Sequence, residues 1–151
     1  MRIHEMTRAQ CQEVLHRTTL GRLACALDGQ PYVVPISFYF DEAEKCLYSF
    51  STVGQKIEWM RSNPKVCVEV DEIADEFDWT TVVIFGRYDE IRDSRQEDHA
   101  LRRAHDLFRQ RPEWWLPGAG RLVTGEEHGS SVVYRIRIDT MNGRRASRRP
   151  P

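Results

Sequence analysis

Apolar positions recur along this chain in two rhythms, and the changes of rhythm predict its elements. From Ser131 to Asp139, Val132, Tyr134, Ile136 and Ile138 alternate with Val133, Arg135, Arg137 and Asp139, the period-two pattern of a half-buried strand with a polar face. Runs rich in β-branched and aromatic residues predict five further strands over 21–27, 32–40, 46–51, 66–70 and 79–91. Gly86 interrupts the last of these, where a bulge or bend is expected. Asp28-Gly29-Gln30-Pro31 makes an antiparallel hairpin of the first two runs, and the polar stretch 41–45 turns the chain into the third. Three segments switch to helical spacing. Thr7-Arg8-Ala9-Gln10 is a capping box that opens a helix through Val14, Leu15 and His16. Thr52-Val53-Gly54-Gln55 is a second, followed by Ile57 and Met60 on one face and stopped at Asn63-Pro64. Gln96 to Arg109 carries Ala100, Ala104, Leu107 and Phe108 on one stripe. Residues 110–129, with Trp114-Trp115 and four of the nine glycines, show no period.

Six strands, interrupted by helices only twice in the middle, predict a mainly β protein: a small six-stranded antiparallel barrel with short helices. The βαβ alternation of a doubly wound sheet is absent. No G-x-G-x-x-G follows a strand, and there is no G-x-S-x-G, H-E-x-x-H or P-loop. The five histidines are scattered, and no spacing pairs one with a nucleophile. A length of 151 residues suits one domain around one core, and 40% hydrophobic with 30% charged residues excludes wholesale disorder. No run approaches the ~20 apolar residues of a membrane helix. Met1-Arg2-Ile3-His4-Glu5 lacks the apolar stretch of a secretory signal, so a cytoplasmic protein is expected. Cys11, Cys25, Cys46 and Cys67 show no C-x-x-C or metal-ligand spacing and read as reduced, buried thiols, with no metal site.

Charge alters this picture in two places. The net charge of −1 gives no argument for nucleic acid or membrane, but residues 1–141 carry −5 and the last ten residues hold four arginines and no acid. That division suggests a single domain over 1–141 and a basic, flexible tail over 142–151, without the interleaved aromatics of a nucleic-acid-binding barrel. The second place is a lysine. Of 22 basic residues 19 are Arg, and only Lys45, Lys56 and Lys65 are Lys.

Lys56 falls where an anion would be welcome. Tyr48-Ser49-Phe50-Ser51-Thr52 delivers hydroxyls from a strand into the start of the helix that begins near Gly54 and Gln55. The first N–H groups of a helix lack intrahelical acceptors, and the helix dipole favours negative charge there. Gly54 would let a ligand approach the backbone, and Lys56 adds a full positive charge. A phosphate group would satisfy all three, and a helix capped by Thr52 with a solvated Lys56 accounts for the same residues equally well on local physics. A second segment is Val33-Val34-Pro35-Ile36-Ser37-Phe38. Proline inside a strand marks an edge or bulge, so taken alone the segment reads first as a plain edge strand; its free backbone groups could also bond a flat polar ring between the apolar walls Ile36 and Phe38.

In order along the chain, Gly21-Arg22-Leu23-Ala24, the hairpin through Val33-Val34-Pro35-Ile36, Leu47-Tyr48-Ser49-Phe50-Ser51, Gly54-x-Lys56, Asn63-Pro64-x-Val66-Cys67-Val68-Glu69-Val70-Asp71, Val83-Ile84-Phe85-Gly86-Arg87 and Tyr134-Arg135-Ile136 through Gly143-Arg144-Arg145 form an ordered set. This set resembles the pyridoxamine-phosphate-oxidase-like flavoproteins of the FMN-binding split-barrel fold, on the branch that contains the nitroimidazole-resistance proteins. The resemblance covers nearly the whole chain except 72–78 and 110–128. It implies a split barrel and a homodimer with flavin at the subunit interface. It implies FMN as cofactor, ahead of FAD, the deazaflavin F420 or haem. The phosphate would lie on Ser51, Gln55 and Lys56, and the isoalloxazine against the backbone of Pro35, Ile36 and Ser37. Phe38, Tyr48, Ser49, Phe50, Gly54 and, from the late loop, Trp115 complete the expected cofactor surroundings. An FMN-dependent oxidoreductase acting on a small substrate is the activity implied; a flavin carrier or sensor without turnover is the alternative. One departure stands out. Phe50 occupies the position where nitroimidazole-resistance proteins carry a histidine, and phenylalanine cannot exchange a proton.

Overall fold

The computed structural model describes residues 1–92, 98–110 and 131–148. The chain runs β1 (Arg2–Met6), α1 (Arg8–Arg17), β2 (Leu20–Leu27), β3 (Gln30–Ser37), β4 (Tyr39–Asp41), β5 (Cys46–Thr52), α2 (Gln55–Ser62), β6 (Lys65–Asp75), β7 (Asp78–Ile91), α3 (Asp98–Arg109) and β8 (Ser131–Ser147). All strand pairs are antiparallel, in the order β3-β2-β6-β7-β8-β5-β4, with β1 added to the far part of β8. The two ends of that order, β3 and β4, are joined in sequence by Phe38 alone, so the sheet must curl round until its ends meet. Phe38 is fully buried and donates its N–H to Thr19 O at 2.8 Å, and Ser49 Oγ on β5 donates to Ser37 O at 2.7 Å across the join. Removing a ring buried this way costs about 3–5 kcal/mol. The result is an antiparallel split barrel of eight strands.

Three local features follow from sequence. Asp28 (φ 50°) and Gly29 (φ 79°) form the two-residue turn between paired Leu27 and Gln30, the left-handed geometry that Asp-Gly tolerates. The β7–β8 register shifts between Phe85 and Gly86, a bulge at the expected place, where a Cβ on Gly86 would lie 2.3 Å from Arg137 O. Pro35 sits on β3, whose ladder partner is β2 alone. Inside the barrel, Leu23, Val68, Val82, Ile84 and Ile136 are fully buried, with Ile57 and Met60 of α2 and Val14 and Leu15 of α1 closing its ends. A smaller cluster lies outside it, where Ala100 and Ala104 of α3 cover Cys46, Tyr48 and Ile91.

Three expectations are corrected. Two strands were missing from the count: β1 is short and largely exposed, and the run 32–40 is two strands bent apart at Phe38. The tail expected from 142 does not begin there, because β8 continues through Ser147 in register with β1 and β7. The apolar alternation fades after Asp139, but backbone pairing on both sides holds the strand. Thr52 does not cap α2. Gly54 is the N-cap, in extended conformation and with no side-chain hydrogen bond, whereas the Thr7–Gln10 capping box of α1 forms in full. Among the described residues, no helix is long and apolar enough to cross a membrane.

Candidate functional site

The barrel join brings the two candidate segments together. The Ser49–Ser37 hydrogen bond ties the strand expected to hold a flavin ring to the strand that leads into α2. Alternation along β5 then divides its side chains. Leu47 and Ser49 point inward, while Cys46 and Tyr48 face outward beneath α3, and Phe50 continues that outward face. Ile36 and Phe38 are buried in the main core and Tyr48 in the smaller cluster, so these three side chains are not open walls for a ring. The backbones of Pro35 and Ile36 belong to β3, whose one ladder partner among the described residues is β2. Phe50 and Ser51 are half-buried, and Ser51 Oγ donates to Thr52 O at 3.0 Å. Trp115 and Trp114 lie outside the described residues.

The start of α2 has the electrostatics of an anion site. No side chain caps it, and Ile57 N and Glu58 N both turn back to Gly54 O at 2.9 and 3.1 Å. That leaves the N–H groups of Gln55 and Lys56 as orphan donors of the first turn. Gly54 and Gln55 are exposed, and a Cβ built on Gly54 would meet nothing within 4 Å, so open space lies in front of the turn. Lys56 is half-buried, and no carboxylate of the described residues pairs with it. Burial pulls its ammonium below the usual lysine range, and the Cys25 thiol nearby only partly opposes this. A partly desolvated cation beside uncapped amides is costly unless an anion completes it. The residues present therefore fit a flavin phosphate.

A cleft of about 400 Å3 lies elsewhere, between the last turn of α1, β4 and α3, lined in part by His16, Tyr39, Asp41 and Arg103. Of the residues expected to bind cofactor, only Phe38 borders it. Its charges are already matched: Asp41 is held by Arg103 at 2.6 Å and His16 by Glu42 at 3.0 Å. The residue that sequence reasoning missed is Phe108. Its place on the apolar stripe of α3 was visible, but not the strand face it would cover. Its ring lies 4.6 Å from Phe50 and 5.3 Å from Tyr39, centroid to centroid.

Comparison with known proteins agrees with this fold. The family model described as pyridoxamine 5'-phosphate oxidase matches residues 7–145. An uncharacterized protein of Rhizobium meliloti is 40% identical over 148 residues, 97% of each chain. A solved structure described as a FAD-binding protein, from Mesorhizobium loti, is 37% identical, with a TM-score of 0.80 over 98% of this chain and 99% of that one. A structure described as a 5-nitroimidazole antibiotic resistance protein, from Bacteroides thetaiotaomicron, shares the fold at 18% identity, with a TM-score of 0.65 over 95% and 89% of the two chains. With an orphan cationic turn at the seam of an antiparallel split barrel and a family match spanning nearly its whole length, this chain belongs to the pyridoxamine 5'-phosphate oxidase family.

Proposed function

We propose that this protein binds a flavin at the barrel seam and works as a flavin-dependent oxidoreductase on a small, flat or electron-poor substrate. The observation that carries the reading is Lys56: half-buried, with no carboxylate partner among the described residues, at a helix start without a side-chain cap. Lys56 and the Gln55 and Lys56 amides bind the phosphate, with Ser51 beside them. The edge backbone of Pro35, Ile36 and Ser37 orients the ring, and the Ser49 hydroxyl fixes that edge by holding Ser37 O. When bound, the flavin supplies two-electron exchange, which explains why no triad or metal motif is needed. FMN is the smallest ligand these groups require. FAD carries the same phosphate, and the FAD-binding relative from Mesorhizobium loti favours it as a second reading. A flavin carrier without turnover is the other alternative, favoured by the phenylalanine at position 50.

A second copy of the chain belongs to the same proposal, as a homodimer with the flavin at its interface. In support, the outer sheet face carries a cross-strand row of Val33, Ala24, Cys67 and Phe85, in direct register over β3, β2, β6 and β7. Val33 is 61% and Phe85 52% exposed, an apolar stripe that a partner would cover.

FMN titration by flavin fluorescence tests the site. Lys56→Ala is expected to weaken binding by roughly 1.5–3 kcal/mol, the scale of a charged hydrogen bond. Lys45→Ala, in the exposed β4–β5 turn, is expected to change nothing. Equal dissociation constants for the Lys56 variant and the parent would end the assignment. Chromatography of the flavin released from purified protein distinguishes FMN from FAD.

A further inference from the structure

We propose that the C-terminal half of α3 is a third segment of the flavin site, with Phe108 as an aromatic wall and His105 as the side chain that exchanges a proton with substrate. The proposal rests on the flavin reading above and deepens it. Phe108 touches both segments that reading requires. Its ring packs on Tyr39, two residues beyond Ser37, at 5.3 Å, and edge-on against Phe50, the residue before Ser51, at 4.6 Å. It is half-buried, so part of the ring stays open beside these contacts. α3 is fixed in this position by Ala100 and Ala104 in the smaller cluster and by the Arg103–Asp41 pair.

None of the three rings does acid–base work: Phe50 and Phe108 have no proton to exchange, and Tyr39 is buried. One turn earlier on α3, however, His105 places its imidazole 6.3 Å from the Phe108 ring, T-shaped to it and exposed. It therefore stands at the open edge of the cluster, where a substrate over the flavin would be met. A bound flavin, once reduced by an external hydride donor, would supply a hydride to the substrate. His105 would supply the accompanying proton and take another from solvent.

The test uses modification of full-length protein by diethylpyrocarbonate, with and without saturating FMN, read histidine by histidine by mass spectrometry. His99 is exposed on the same helix, six residues and about 240° around it from His105, and serves as the internal reference. Bound FMN is expected to slow modification of His105 several-fold and leave His99 unchanged. In parallel, Phe108→Ala is expected to weaken FMN binding roughly three- to ten-fold, the scale of one aromatic pair. Tight FMN binding with equal protection of His105 and His99 would overturn the proposal while leaving the flavin reading intact. No FMN binding by the parent protein would overturn both.

Discussion

Tyr134 carries the one side-chain polar atom among the described residues that is buried without a hydrogen bond. It faces the barrel interior on β8, opposite Ser49, whose own hydroxyl is committed to Ser37 O. Burial pushes the phenol up to about 12, only partly opposed by the Ser49 hydroxyl facing it just beyond hydrogen-bond geometry, so it stays neutral throughout the physiological range. A buried, unmade hydrogen bond is a cost, whereas the ring itself fills core volume against Tyr88 at 5.4 Å. Tyr134→Phe keeps the ring and discards the orphan, and is expected to be neutral or to stabilise by about 1 kcal/mol in urea unfolding. A loss of stability would mean that the hydroxyl has a partner in solution. Lys56 is the opposite case, a group without a carboxylate partner among the described residues, at the surface end of the same barrel. There an external anion can complete it, so the same kind of deficit becomes a binding site.

At the scale of elements, α3 docks through a buried charge as well as through its apolar stripe. The Asp41 side chain is almost wholly buried and accepts from Arg103 at 2.6 and 3.2 Å and from the amides of Ala43 and Glu44. Burial alone would raise its pKa, but Arg103 and the two amides outweigh burial and hold it below the usual carboxylate value. Because the folded value is depressed, the stabilisation is complete above the unfolded pKa of about 3.9 and is lost as pH falls through the lower, folded value. Arg103→Ala leaves the carboxylate with only its amides and is expected to cost about 1–3 kcal/mol. It should also move the onset of acid unfolding to higher pH, which circular dichroism across an acid titration would show. An unchanged acid midpoint would mean that α3 is held by its apolar contacts alone. This pair also shows what was legible in the sequence and what was not. Alternation and turn residues gave the hairpin, the Gly86 bulge and the Pro35 edge, because each is decided within a few residues. The bend at Phe38, the length of β8 and the pairing of β1 are decided by partners far along the chain, and local pattern is silent on them. For the candidate site, Lys56 stood out through its rarity and its place in the first turn of α2. The burial of Ile36 and Phe38 in the barrel and of Tyr48 under α3 was not, because which face of a strand is covered, and by what, is a tertiary fact.

The whole molecule leaves an apolar stripe uncovered, and this is where the homodimer proposal can fail. Phe85 lies on the outer face of β7, directly opposite Cys67 of β6, which in turn opposes Ala24 of β2 and, through it, Val33 of the edge strand β3. Val83 and Pro35 extend the apolar character one row along, where Arg22 and Glu69 pair between them. A row of this kind is ordinary when a partner covers it and a liability when none does. Symmetry makes an isologous contact the economical solution, with the same stripe on both copies. β3 lies at the end of this stripe and also carries Pro35, Ile36 and Ser37, so a partner seated on it would come close to the flavin ring. Light scattering of the flavin-loaded protein is therefore expected to give about twice the 17.7 kDa of one chain. Phe85→Asp places a charge at the middle of the face without touching the core, so its circular dichroism should be unchanged. Its mass should shift toward one chain, and its FMN affinity should fall with the partner, although Phe85 is remote from Lys56 in sequence and on another strand. A parent protein that binds FMN tightly as a monomer would refute the dimer and leave the anion site standing. A Phe85→Asp protein that stays dimeric with full flavin affinity would move the interface to a different face.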